Sequence, residues 1–154
     1  MTARTDEASM LIRAPKANIY RALLDANARL VWLPPKGMTG RIERFDPRAG
    51  GGYRMVLTYD DPMGSAGKSA PDSDVVEAQF LVLVPDERIV ESIEFESEDA
   101  AFAGTMTMTW TLRTVDDGTE VRVMAAQVPE GISVEDHRAG MRSSLQNLAA
   151  FVEP

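Results

Sequence analysis

Residues 105–113 read T-M-T-M-T-W-T-L-R, an unbroken alternation. Met106, Met108, Trp110 and Leu112 fall on one side, and Thr105, Thr107, Thr109 and Thr111 on the other. A period of two, with one apolar face and one threonine face, describes an antiparallel strand that is dry on one side and wet on the other. Asp116-Asp117-Gly118 follows as a hairpin turn, and EVRVMAAQV (120–128) returns along it. The same period appears earlier in the chain. Tyr53, Met55, Leu57 and Tyr59 alternate with Arg54, Val56 and Thr58. Val76, Ala78, Phe80, Val82 and Val84 alternate with Glu77, Gln79, Leu81 and Leu83. A tight turn at Pro85-Asp86-Glu87 leads into RIVESIEF (88–95), and RIERF (41–45) and EASMLIR (7–13) read as two further strands.

Between the first strand and RIERF the period becomes helical. Ile19, Leu23 and Leu24 share a face, Ala17, Ala22 and Ala26 favour helix, and Pro15 suits a first turn. A second short helix is predicted from Asn27 to Leu33, stopped by Pro34-Pro35. After the strands, Ser133 stands as an N-cap with Asp136 three residues on. His137, Met141, Leu145, Leu148 and Val152 then recur at helical spacing in one long amphipathic helix. Strand, two short helices, a run of strands and a long helix make one α+β domain over residues 1–154, with helices on one face of an antiparallel sheet.

Charge and composition exclude several partners. The formal net charge of −8 argues against nucleic acid, which needs a basic surface. No apolar run approaches the ~18 residues of a membrane span. The start, MTARTDEASM, has no apolar leader, which places the chain in the cytoplasm by expectation. With no cysteine there is no disulfide, thiol nucleophile or thiolate metal site.

Two glycine-rich stretches resemble phosphate cradles and lack what a cradle needs. Gly64-Ser65-Ala66-Gly67-Lys68-Ser69 ends like a Walker A loop, but Pro62 occupies the first glycine position and has no amide hydrogen to donate. Ala70-Pro71-Asp72 follow, where the motif needs a helix. It reads as a polar loop. Gly50-Gly51-Gly52 enters a strand and reads as a tight turn or bulge. No metal site is expected, since the acidic run Glu91–Ala100 lacks the spacing of a calcium loop and there is one histidine. No cofactor is implied. There is no G-x-S-x-G elbow, and His137 has no partner visible in sequence.

Five stretches in one order carry a family resemblance: PKANIYRALLDANARLVWLPPKG, FDPRAGGGYRMVL, VPDERIVESIEF, MTWTLRTVDDGTEVRV and AGMRSSLQNLAAFV. Together they span about Ala8 to Val152. The chain resembles the single-domain bacterial relatives of the activator of Hsp90 ATPase, within the START/Bet v 1-like (SRPBCC) superfamily. The resemblance implies a helix-grip fold, a curved antiparallel sheet wrapped around the long C-terminal helix with an apolar cavity between them. Two positions depart from the family pattern. Ala125-Ala126 stands where many members have His-Glu, and Gly140-Met141 where Gly-Trp is common.

On that fold, a small apolar molecule is the expected partner. Trp32, Tyr53, Met55, Leu57, Phe80 and Ile93 are expected to line its cavity, as are Phe95, Met106, Met108, Trp110 and Met141. Trp32 is expected near the mouth. Tyr59, Glu91 and His137 are the candidate polar contacts. The methionines suit an adaptable cavity and equally an ordinary core. Glu91 shares the parity of Ile89, Ile93 and Phe95, while Arg88 has the opposite one. If Glu91 turns inward, it has no cation on its own strand face, so a carboxyl with a raised pKa is expected; a bulge turning it to water is the alternative. Two other functions stay open. One is a polyketide cyclase- or hydrolase-like enzyme in the same cavity, with Glu91 or His137 as acid or base. The other is an Hsp90 co-chaperone, although the name-giving co-chaperones carry a further N-terminal domain for which these residues leave no room. A homodimer is also left open.

Overall fold

The computed structural model describes residues 4–60 and 73–154. The GSAGKS stretch lies outside the described residues. In chain order the elements are β1 (Thr5–Ile12), α1 (Lys16–Leu23), α2 (Ala26–Trp32), β2 (Met38–Phe45) and β3 (Gly52–Tyr59). They continue with β4 (Ser73–Val84), β5 (Arg88–Glu96), a 3₁₀ turn (Ala100–Phe102), β6 (Met106–Val115), β7 (Gly118–Ala126) and α3 (Val134–Val152). The strands form one antiparallel sheet in the order β1-β7-β6-β5-β4-β3-β2. Every neighbour pair except β1–β7 is consecutive in the chain. That one pairing brings the first strand beside the last, so the two short helices must carry the chain to the far edge of the sheet. The curved sheet and long C-terminal helix make this an α+β helix-grip fold, with α3 packed against β1, α1 and α2.

Local chemistry sets the element ends. Asp25 caps α2 by accepting from the Ala28 amide at 2.9 Å, and Ser133 caps α3 by accepting from the Asp136 amide at 3.0 Å. Each cap satisfies one of the amides that an N-terminus leaves without an intrahelical partner. The Asp116-Asp117 turn joins β6 to β7 in the expected hairpin. At the glycine run, Gly50 adopts φ +86°, and Gly52 lies so close to β4 that a Cβ would strike the Ala78 carbonyl oxygen. The backbone there must approach its neighbour more closely than any side chain permits.

The alternation in β6 places Met106, Trp110 and Leu112 in the core. Alternation along β4 holds only to Phe80. The register against β5 slips between Phe80 and Val82, so Leu81 is an extra residue, and Val82 is exposed where strict alternation would bury it. A bulge inverts the parity of everything beyond it. On the outer face, Arg54 reaches Glu43 at 2.9 Å and Glu96 at 2.7 Å, and Arg44 reaches Glu77 at 3.1 Å. Such exposed pairs contribute about 0–1 kcal/mol each, so stability comes mainly from the inner face.

Candidate functional site

A cavity of about 630 Å³ lies between the inner face of the sheet, the α2–β2 connection and α3. Strand β3 contributes Tyr53, Met55, Leu57 and Tyr59 to its wall; β5 contributes Ile93 and Phe95; and β6 contributes Met106, Met108 and Trp110. From α3 come His137, Gly140 and Met141. A Cβ built on Gly140 would find nothing nearer than Pro35 Cγ at 3.9 Å, so this glycine leaves open space rather than a close helix contact.

Two expected lining residues and one candidate polar contact are elsewhere. Trp32, Phe80 and Glu91 do not line the cavity but form a buried layer next to it. Trp32 is fully buried, not at the mouth. Its indole donates to the Ala22 carbonyl at 2.9 Å and packs edge-on against Trp110 with centroids 5.3 Å apart. Phe80 stands at the bulge, in contact with Phe45 and Tyr53.

Glu91 does face inward, but the expectation that it lacks a cation is corrected. Arg29, from α2, places Nη2 3.3 Å from Glu91 Oε1, and both side chains are buried. The Trp110 indole donates to the same oxygen at 3.1 Å. Arg29 Nε donates to the Leu23 carbonyl at 2.6 Å, and the guanidinium lies 4.8 Å from the ring centre of Tyr53, 5.3 Å from Trp32 and 5.6 Å from Phe80. Burial is the largest single influence on Arg29 and lowers its pKa; Glu91 and Tyr53 together outweigh it, and the net shift is upward. The phenol of Tyr53 is held well above its usual range, first by burial and then by the Glu91 charge, with Arg29 opposing. Arg29 Nη1 and Glu91 Oε2 have no partner in hydrogen-bond geometry. Leaving a buried polar atom unpaired costs about 1–3 kcal/mol.

His137 has a partner that its helix could not reveal. Its Nδ1 lies 2.8 Å from Oδ2 of the buried Asp6 in β1, which also accepts from Arg4 at 3.0 Å. Tyr59 titrates above its ordinary value, mainly through burial and further through the charges of Asp74 and Asp136. Both of those carboxylates line the cavity, as does Lys36. Reading the sequence missed Asp74 and Val76, although both share the parity of Ala78. It also missed Leu33, Pro35 and Lys36, which lie on a proline-interrupted connection with no period to read, and Met38 at the start of β2. Among the described residues, no group of three or more His, Asp or Glu is placed to hold a metal ion. No helix among them is long and apolar enough to cross a membrane.

A curved antiparallel sheet gripping a long C-terminal helix, with a cavity between them, defines the class: a helix-grip α+β domain. The chain belongs to the activator of Hsp90 ATPase homolog 1-like family, whose model matches residues 13–153. Among solved structures, protein CV1439 from Chromobacterium violaceum is similar at 32% identity over 97% of both chains, with a TM-score of 0.85. Protein MLL2253 from Mesorhizobium loti shares 20% identity over 97% of both chains, with a TM-score of 0.73. DynU16, described as a putative protein in the dynemicin biosynthetic locus, matches 97% of this chain and 47% of its own at 16% identity, with a TM-score of 0.68. The last two likenesses concern the fold alone. A comparison with curated proteins returned no match.

Proposed function

We propose that this protein binds a small, largely apolar molecule in the cavity between the sheet and α3. The observation that carries the reading is the cavity itself: about 630 Å³, walled by Met55, Leu57, Ile93, Phe95, Met108 and Met141, with a few polar groups. That size and make-up match small-ligand sites in general. Methionines on both walls let the space adapt to an irregular shape. The test uses the neutral dye N-phenyl-1-naphthylamine, which should brighten on binding and quench Trp110 emission. Native mass spectrometry of protein purified from its own host should find a co-purified small molecule. Absence of both dye uptake and any bound molecule refutes the reading.

An enzymatic reading has one specific support, the Asp6–His137 pair. A carboxylate at Nδ1 orients an imidazole beside the cavity, as general-base chemistry requires. Its test is turnover of a neutral aryl ester: loss in both Asp6→Asn and His137→Gln supports catalysis, and unchanged turnover in both rejects it. A partnership with Hsp90 rests on the family's name alone, and a pull-down against that chaperone tests it.

A further inference from the structure

The charge of this chain is unevenly placed, and the cavity lies where the imbalance is. The antiparallel register brings the ends of β3 and β5 and the starts of β2, β4 and β6 to one end of the sheet. The cavity is built at that end, against the first half of α3. Asp74, which is buried, and Asp136, which is exposed, both belong to its lining. Around them stand Asp60 after β3, Glu98 and Asp99 after β5, and Glu130 and Glu135 on the way into α3. Against these, the described cations at this end are Lys36 and Arg138, because Arg4 is held by Asp6, Arg122 by Glu7, and Arg54 by Glu43 and Glu96. Residues 61–72 contain two aspartates and one lysine, so their charge does not reverse this balance. Tyr59 registers the result: after burial, the charges that raise its pKa are those of Asp74 and Asp136. The opposite end of the sheet mixes the signs, with Arg13, Arg88 and Arg113 near Asp86, Glu87 and Glu120.

Resting on the reading of the cavity as a ligand site, we propose that its ligand is an organic cation, with an apolar body in the cavity and a protonated amine at the rim formed by Asp74 and Asp136. An apolar cavity selects hydrophobic bulk and is indifferent to the sign of a charge. A rim with more carboxylates than cations supplies the sign. The ammonium does not have to leave water, because Asp136 and Lys36 mark an exposed rim, and it keeps part of its hydration while the body is buried. An anion in the same place is repelled. Two features of positive sign face the rim, and each is matched on the spot. His137 sits 2.8 Å from the buried Asp6, so any charge on its ring has a partner. The N-terminus of α3 carries the positive end of its dipole, and Glu135 and Asp136 lie in its first turn. Behind the deeper wall, Arg29 and Glu91 offset one another.

The experiment measures displacement of N-phenyl-1-naphthylamine from the full chain by 2-naphthylmethylamine, 2-naphthalenemethanol and 2-naphthoate. These share a ring system and carry a positive, a neutral and a negative group at neutral pH. The amine should bind about tenfold tighter than the carboxylate, with the alcohol between them. Raising salt from about 0.01 M to about 1 M shortens the screening length from about 30 Å to about 3 Å and should draw the three affinities together. Asp136→Asn and Asp74→Asn should each narrow the gap between amine and carboxylate by about twofold or more. Glu87→Gln removes one negative charge at the opposite end and should leave the gap unchanged. Asp136 is exposed, so its variant gives a result even if the buried Asp74 is needed for folding. Equal binding of amine and carboxylate at low salt, or a preference for the carboxylate, overturns the cation and leaves the cavity reading standing. A gap that Glu87→Gln narrows as much as Asp136→Asn does the same, since net charge alone then explains it. If neither the dye nor any of the three naphthalenes binds, both readings fall.

Discussion

Substituting Glu91 tests the most consequential contact in this fold. Read on its own strand, Glu91 is a lone inward carboxylate, and Glu91→Gln should relieve a desolvation penalty and stabilise the protein. Arg29 reverses the sign. Its guanidinium is fully buried 3.3 Å from the carboxylate, so removing the negative partner leaves a cation that cannot shed its proton. Breaking a buried pair from one side costs about 3–5 kcal/mol, and the Arg29 contacts with three aromatic rings, already present in the wild type, do not offset that loss. Glutamine still accepts from the Trp110 indole, so the loss reports the charge rather than that hydrogen bond. We expect Glu91→Gln to lose about 3 kcal/mol or more, a large share of a typical domain's stability. Arg29→Met should lose less at acid pH than at neutral pH, because the carboxyl left behind can take up a proton there and become neutral. The double variant Arg29→Met/Glu91→Gln should lose less than the sum of the two single losses, since neither charge then remains alone. Urea unfolding followed by tryptophan emission measures all three. If Glu91→Gln lies within about 0.5 kcal/mol of wild type, or the two losses simply add, the pair is not a buried, mutually dependent ion pair and the reasoning fails.

Three further outcomes are expected. Met108→Trp should fill cavity space and weaken dye binding about tenfold or more, while costing less than the roughly 1–3 kcal/mol of overpacking a solid core; a full overpacking loss with unchanged binding would mean that Met108 is core. Gly140→Ala should raise stability by about 1 kcal/mol in urea unfolding, since the added methyl meets only Pro35 Cγ at 3.9 Å, and Gly140→Leu should reduce dye affinity; loss of stability in the alanine variant would contradict the open space assigned there. For Tyr53, whose folded pKa lies above the unfolded value of 10.0, the associated stability is complete below that value and is lost as pH rises through the folded pKa, so Tyr53→Phe should show a shallower alkaline decline than wild type in unfolding scans; parallel declines would show that the phenol ionises as it does in the unfolded chain.

Much of the architecture was legible from residue order because backbone geometry is local. Alternation in TMTMTWTLR follows from the two-residue pleat, so it identified β6 and its buried face whatever lay across from it. The spacing of Met141, Leu145 and Leu148 behind a capping Ser133 likewise identified α3 and the side it buries. Alternation also put Met55, Met106, Met108 and Trp110 on the side that became the cavity wall. It failed where a local rule was broken by one residue. The bulge at Leu81 leaves no mark in a run of apolar residues, yet it turns Val82 outward.

What the tertiary structure alone decided is which groups meet. Arg29 and Glu91 are 62 positions apart, and His137 and Asp6 are 131 apart. Each of these residues sits in an element whose own pattern is complete without the partner. Whether a buried carboxylate faces an empty wall or a guanidinium depends on how α2 docks against β5 and β6, which no periodicity encodes. The same holds for Trp32, whose place on a short helix suits a cavity mouth and a sealed core equally well. Periodicity tells a side chain which way to point; only the packing of distant elements decides what it finds there, and the charge on Glu91 depends on that for its meaning.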